Sequence, residues 1–102
     1  MRILAYAPDL MDRSKLSATA PAITFVSRPG EIAALAGDAD LAVVDLGRPG
    51  VLEVLADVAA VVRVIGYGSH VDRATLERAS AAGCEAMPRS RFFRNLGDLL
   101  AP

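Results

Sequence analysis

Cysteine is almost absent from this chain of 102 residues; histidine occurs once, tryptophan not at all, and aromatic residues make up only 5%. A single thiol, Cys84, excludes an internal disulfide framework, and with one imidazole, His70, it also excludes a Cys/His zinc site. An excess of charge of one sign is missing too: a formal net charge of −1 gives no electrostatic argument for nucleic acid or an acidic membrane surface. No stretch approaches the ~18 apolar residues of a membrane span, and the apolar run in MRILAYAPD is too short for a signal peptide before Pro8-Asp9 interrupts it. The expectation is a soluble, cytoplasmic protein. Aliphatic residues are what the chain has in plenty. Hydrophobic side chains are 53% of it, so the core must be packed from Ala, Val, Leu and Ile. A chain of this length is expected to build one domain, residues 1–102, around one core.

Short apolar runs alternate with segments of helical period. Ile3 to Ala7 reads as a strand broken by Pro8-Asp9; Asp9 then caps a short helix over Leu10 to Leu16, with Asp12 in its first turn, and Ser17 to Pro21 stop it. Ala22 to Val26 is β-rich, and Ser27 with Pro29 starts a helix whose Ile32, Leu35 and Ala36 share one face before Gly37 closes it. After a third strand, Leu52, Leu55, Ala56 and Ala59 recur at helical spacing, and Ala60 to Ile65 forms a fourth strand that Gly66-Tyr67-Gly68 ends in a turn. Ser69 and Asp72 have the offset of a capping box ahead of a helix carrying Leu76, Ala79 and Ala82, which ends at Gly83. Cys84 to Met87 makes a last short strand, and Ser90 caps a final helix with Phe92, Phe93, Leu96, Leu99 and Leu100 in one stripe. Five strands alternating with five helices specify a five-stranded parallel sheet covered on both faces, a three-layer α/β sandwich joined by right-handed crossovers.

The third strand carries the chemistry. Leu41 to Val44 is an apolar run ending on the carboxylate of Asp45, with Pro49-Gly50 following four residues on. A buried parallel strand delivers an acid to the carboxyl edge of a sheet in this way. From end to end, and most closely over VVDLGRPG (Val43 to Gly50), the chain resembles the CheY-like receiver domains of bacterial two-component response regulators, which have the flavodoxin-like fold. The series Leu76, Ala79, Ala82 and Gly83, running into CEAMPRS, is similar to a second segment of that family. It puts Arg89 in the place of the family's site lysine and Ser90 in the place of its proline. The resemblance implies strand order 2-1-3-4-5 and makes Asp45 the phosphoacceptor candidate.

The same alignment departs from the family at the site. The adjacent acidic pair that holds Mg²⁺ in receivers falls on Ala7 and Pro8, which leaves Asp9 and Asp45 as the remaining candidates for metal ligation. The hydroxyl residue that ends the fourth strand falls on Gly68, with Ser69 one residue late. Arginine at position 89 keeps the charge but exchanges a compact ammonium for a planar fork. Mg²⁺ needs a near-octahedral set of oxygen ligands, and aspartyl phosphorylation relies on it to neutralise charge at the transferred group. The resemblance therefore implies a pseudo-receiver with a degenerate Mg²⁺ and phosphorylation site, and no cofactor. Its structural counterpart is an Asp45 hydrogen-bonded to loop amides and to Arg89, with Asp9 as a helix N-cap.

Other side chains read as structural. His70 is a loop residue without a Ser, Asp or Cys partner, and Cys84 packs as a small hydrophobe. The segment from Arg89 to Arg94 interleaves arginine with phenylalanine, yet helical spacing sends Phe93, Leu96 and Leu100 into the core, so no nucleic-acid surface is expected. No acid/base or nucleophile pair assembles, so no enzyme is expected. Two functions remain. One is a stand-alone receiver-like module for signalling and protein interaction. The other is a small flavodoxin-like domain binding an anionic ligand at the strand ends, in a pocket of Asp9, Asp45, Gly68, Ser69 and Arg89. For the first, the resemblance implies a protein partner or a homodimer on the face of the fourth helix, fifth strand and fifth helix, through Arg73, Glu77, Arg78, Arg91 and Phe92.

Overall fold

The computed structural model describes residues 1–102. In chain order the elements are β1 (Ile3–Tyr6), α1 (Leu10–Thr19), β2 (Thr24–Phe25), α2 (Pro29–Leu35), β3 (Leu41–Asp45), α3 (Val51–Ala59), β4 (Arg63–Gly68), α4 (Arg73–Ala81), β5 (Glu85–Pro88), α5 (Arg89–Arg94) and α6 (Leu96–Leu99). All strand pairs are parallel and the sheet order is β2-β1-β3-β4-β5, the flavodoxin-like arrangement that the resemblance implied.

Because successive strand side chains point to opposite faces, each central strand feeds two cores at once. Leu4, Ala42, Val44 and Val64 face one side, where they meet Ile32, Val51, Leu55, Val58 and Ala79 from α2, α3 and α4. Ile3, Ala5, Leu41, Val43, Ile65 and Tyr67 face the other, where Leu16 of α1, Phe92 of α5 and Leu96 of α6 cover them. Every residue of β3 is buried, which is why Leu41 to Val44 reads as a continuous apolar run and not as an alternation.

Several boundaries differ from the sequence expectation, each for a local reason. The first helix runs on to Thr19, since Ser17 and Ala18 sit on its solvent side and the Ala20 amide still finds the Leu16 carbonyl at 2.8 Å. In place of a left-handed Gly37, α2 tightens into a 3-10 turn, Ala36–Asp38, and Leu35 points outward. The inward face of α3 is Val51, Leu55 and Val58, with Ala56 exposed. Ala60 to Val62 close that helix through the Ala56 and Val58 carbonyls, so β4 begins only at Arg63. Arg63 then reaches across the sheet end to Glu85 with bonds of 2.6 and 2.9 Å. Asp72, and not Ser69, caps α4 by accepting the Thr75 amide. No side chain caps α5, which starts directly after Pro88 with Ser90 already inside it, and Asn95 splits the last apolar stripe into α5 and α6.

Gly66 and Gly68 are strand residues, not a turn. At Gly66 the reason for glycine is close packing: a Cβ there would stand 2.7 Å from Leu46 Cδ2 and 2.9 Å from Cys84 Sγ. The buried Cys84 fills this layer as a small hydrophobe, and burial pushes its thiol up to about 12. True left-handed glycines occur at the end of α4, Gly83 with φ +100°, and at the start of α3, Gly50 with φ +86° against the Pro29 ring. Gly50 thus supplies the turn that follows Asp45.

Candidate functional site

The carboxyl ends of β1, β3, β4 and β5 bring together three carboxylates, two guanidinium groups and a phenol. Asp45 ends β3 and is only 8% exposed. Its Oδ1 accepts the Gly47 amide at 3.0 Å and its Oδ2 accepts from Arg48 Nε at 3.2 Å. The loop amide is the partner expected for a strand-end acid. The guanidinium is Arg48 and not Arg89, because the tight turn after β3 folds the side chain three residues ahead back onto the carboxylate.

Arg89 is committed elsewhere. Its Nη2 donates to Asp12 Oδ1 at 2.6 Å, while the Tyr67 hydroxyl donates to Asp12 Oδ2 at 3.0 Å. Asp12 is 1% exposed on the inward face of α1, one turn before Leu16. The Arg89 Cζ also lies 5.4 Å from the Tyr67 ring centroid and 5.3 Å from that of Phe93. Arginine suits this position better than lysine, since a flat delocalised cation can stack on rings while its fork bonds a carboxylate. Phe92 stacks on Tyr67 at 4.8 Å, and Phe93 meets both edge-on. One knot therefore ties α1, β4 and α5 together.

The electrostatics follow from this geometry. Burial, then the charges of Asp45 and Asp12 and the bond to Asp12, hold the Tyr67 phenol far above its ordinary range, so it stays a donor. The bond to Asp12 raises Arg89 further against a smaller opposing effect of burial. Asp9 is the N-cap of α1, with Oδ1 accepting the Met11 and Asp12 amides at 2.9 and 3.0 Å. The Asp12 amide, with smaller help from the Met11 amide and the charges of Arg89 and Arg48, holds the Asp9 carboxyl below its ordinary 3.8. A depressed carboxyl stabilises the fold above its ordinary pKa, and that contribution is lost as pH falls through the lowered value.

A receiver would bind Mg²⁺ here, and these donors do not fit that ion. Both oxygens of Asp45 and both of Asp12 are taken by donors of the chain itself. Ala7 and Pro8 have no ligating side chain, and no group of three His, Cys, Asp or Glu side chains converges to hold a metal. A guanidinium stands against Asp45 where a cation would be needed. No buried side-chain polar atom lacks a partner.

Of the pocket residues expected from sequence, Asp9 and Ser69 are exposed, with Asp9 Oδ1 and the Ser69 hydroxyl accepting backbone amides, Gly68 is buried at the end of β4, and Arg89 faces Asp12. Arg73, Glu77, Arg78 and Arg91 are exposed as expected, but Phe92 is fully buried. The correction is one of register: Phe92, Leu96 and Leu100 form the inward i, i+4, i+8 row, and Phe93 lies half-buried beside it. His70 is in an exposed loop. Sequence reasoning missed Asp12, Tyr67 and Arg48 as site residues. The available signal was that Asp12 and Leu16 share a helix face whereas Leu10 and Met11 do not, so the acid had to point inward.

No family model matches this sequence, and no curated protein matches it either. Solved structures do match. A response regulator from Hahella chejuensis superimposes with a TM-score of 0.78 at 16% identity, covering 96% of this chain and 90% of that one. A pilus assembly-related protein from Burkholderia pseudomallei gives 0.74 at 17% identity, with 98% and 86% covered. The phosphorylated cyanobacterial phytochrome response regulator RcpA gives 0.75 at 13% identity, with 96% and 89% covered. The chain has the CheY-like receiver fold.

Proposed function

We propose that this chain is a receiver-like module for signalling and protein interaction that acts in the cytoplasm without phosphorylation of Asp45. The observation that carries the proposal is that both buried carboxylates near the strand ends are neutralised from within, Asp45 of β3 by Arg48 and Asp12 of α1 by Arg89. A phosphoacceptor needs a free carboxylate oxygen and a cation to screen the incoming phosphoryl oxygens. Here the attacking oxygen is bonded, no metal cage adjoins it, and the position of the phosphoryl-binding hydroxyl is Gly68.

With no reacting group, the work falls to the surface. The face formed by α4, β5 and α5 presents Arg73, Glu77, Arg78 and Arg91, a mixed-charge patch of the kind that forms modest polar interfaces, and its occupant is a protein. Light scattering at high concentration decides whether that protein is a second copy. For the chemistry, incubation with Mg²⁺ and acetyl phosphate should leave the intact mass unchanged. Gain of one phosphoryl group, lost in Asp45→Asn, would overturn the proposal.

A further inference from the structure

A separate cavity opens at the other end of the sheet, below the amino ends of β1 and β2. It has a volume of about 350 Å³ and is lined by Met1, Ile3, Leu4, Ala22, Leu35 and Ala39, with Arg2, Thr24 and Asp38 as its polar side chains. The size is that of a small-molecule pocket. Its origin is the shortness of β2: only Thr24 and Phe25 pair with β1, so the lower edge of the sheet is left without a covering strand. Leu35, turned outward as α2 passes into the 3-10 turn, closes the side and remains 44% exposed.

Two exposed charges flank this cavity. Arg2 makes no ion pair; its Nη1 has one long bond, 3.4 Å, to the Asp38 carbonyl. The Asp38 carboxylate has neither a hydrogen-bond donor nor a cation within pairing distance. Asp40, the next acid along, is already used, accepting the Arg2 amide at 2.7 Å. A cation and an anion thus flank an apolar cavity without neutralising each other.

We propose that this cavity binds a small zwitterion with an aliphatic side chain, that is, a free apolar α-amino acid. Its carboxylate meets the Arg2 guanidinium, its ammonium meets Asp38, and its side chain displaces water from Ile3, Leu4 and Leu35. Ligands of open α/β sheets usually enter at the carboxyl edge. In this chain that edge is filled by the Asp45–Arg48 and Asp12–Arg89–Tyr67 contacts, and the amino edge is the one with an unfilled apolar cavity and unpaired charge. The inference does not depend on the phosphorylation state of Asp45.

The test is an amide-shift titration of the full chain with L-leucine, isocaproate, isopentylamine and glycine. Leucine should give saturable shifts at Ile3, Leu4, Thr24, Leu35 and Ala39. Each singly charged analogue should bind about tenfold more weakly, the scale of one charge-assisted hydrogen bond, and glycine should not bind. Arg2→Gln should weaken leucine by about the same factor and leave isopentylamine unaffected; Asp38→Asn should likewise weaken leucine and leave isocaproate unaffected. Both positions are exposed, so the variants keep the parent spectrum elsewhere. Absence of saturable shifts with leucine, equal binding of leucine and isocaproate, or insensitivity to both substitutions would overturn the proposal.

Discussion

Asp12→Ala should lower the unfolding free energy by about 2–4 kcal/mol in urea, with the m-value unchanged. The substitution removes the only partner of the buried Tyr67 hydroxyl, which is then left without a hydrogen bond in an apolar layer. It also removes the carboxylate that holds Arg89. Breaking a fully buried pair costs about 3–5 kcal/mol, but half of the Arg89 side chain is exposed and can turn to water, so the full figure is not reached. Tyr67→Phe should cost less, about 1–2 kcal/mol, because Asp12 keeps Arg89 and the ring still stacks on Phe92. A double variant that loses less than the sum of the two would show that Asp12 and Tyr67 act as a coupled pair. An Asp12→Ala loss below about 0.5 kcal/mol, the range of surface substitutions, would mean that the knot does not organise the fold.

Gly66→Val should be comparably damaging by a different route. Overpacking a tight core costs about 1–3 kcal/mol, and here even the first added carbon collides, at 2.7 and 2.8 Å from Leu46 and 2.9 Å from Cys84. The strand conformation itself suits valine, so backbone preference works in favour of the substitution and the loss measures crowding alone. Gly66→Val combined with Cys84→Ala should recover part of the stability by removing one of the two colliding groups. Thermal denaturation of the three proteins separates these contributions. No recovery in the pair would place the whole conflict at Leu46.

Much of this architecture could be read from the chain because its signals are local and repeated. Buried runs such as Leu41 to Val44, the N-cap at Asp9, the Pro49-Gly50 turn and the helix end at Gly83 each follow from short-range chemistry. The site was less legible because its bonds join residues far apart in sequence: Asp12 meets Tyr67 and Arg89 across 55 and 77 positions. Spacing cannot reveal such a partner. The same limit applies to Arg89, which stood in the place of a receiver lysine and was expected at Asp45, until stacking on Tyr67 and Phe93 drew it to Asp12. Phe92 and Phe93 are adjacent, and only the register of a six-residue helix decides which of them is buried.

In the function proposed above, a receiver framework has its phosphoacceptor position, Asp45, closed by its own Arg48, while Arg89 is held at Asp12. Amide spectra recorded while Mg²⁺ and beryllofluoride are added test it most directly, since this phosphoryl mimic binds only where a free aspartate and a metal cooperate. The account predicts no saturable shift at Asp45, Gly47, Gly68 or Arg89, and no difference between the parent and Asp45→Asn beyond the immediate surroundings of the substitution. A saturable, Mg²⁺-dependent shift of these amides in the parent that disappears in Asp45→Asn would contradict it.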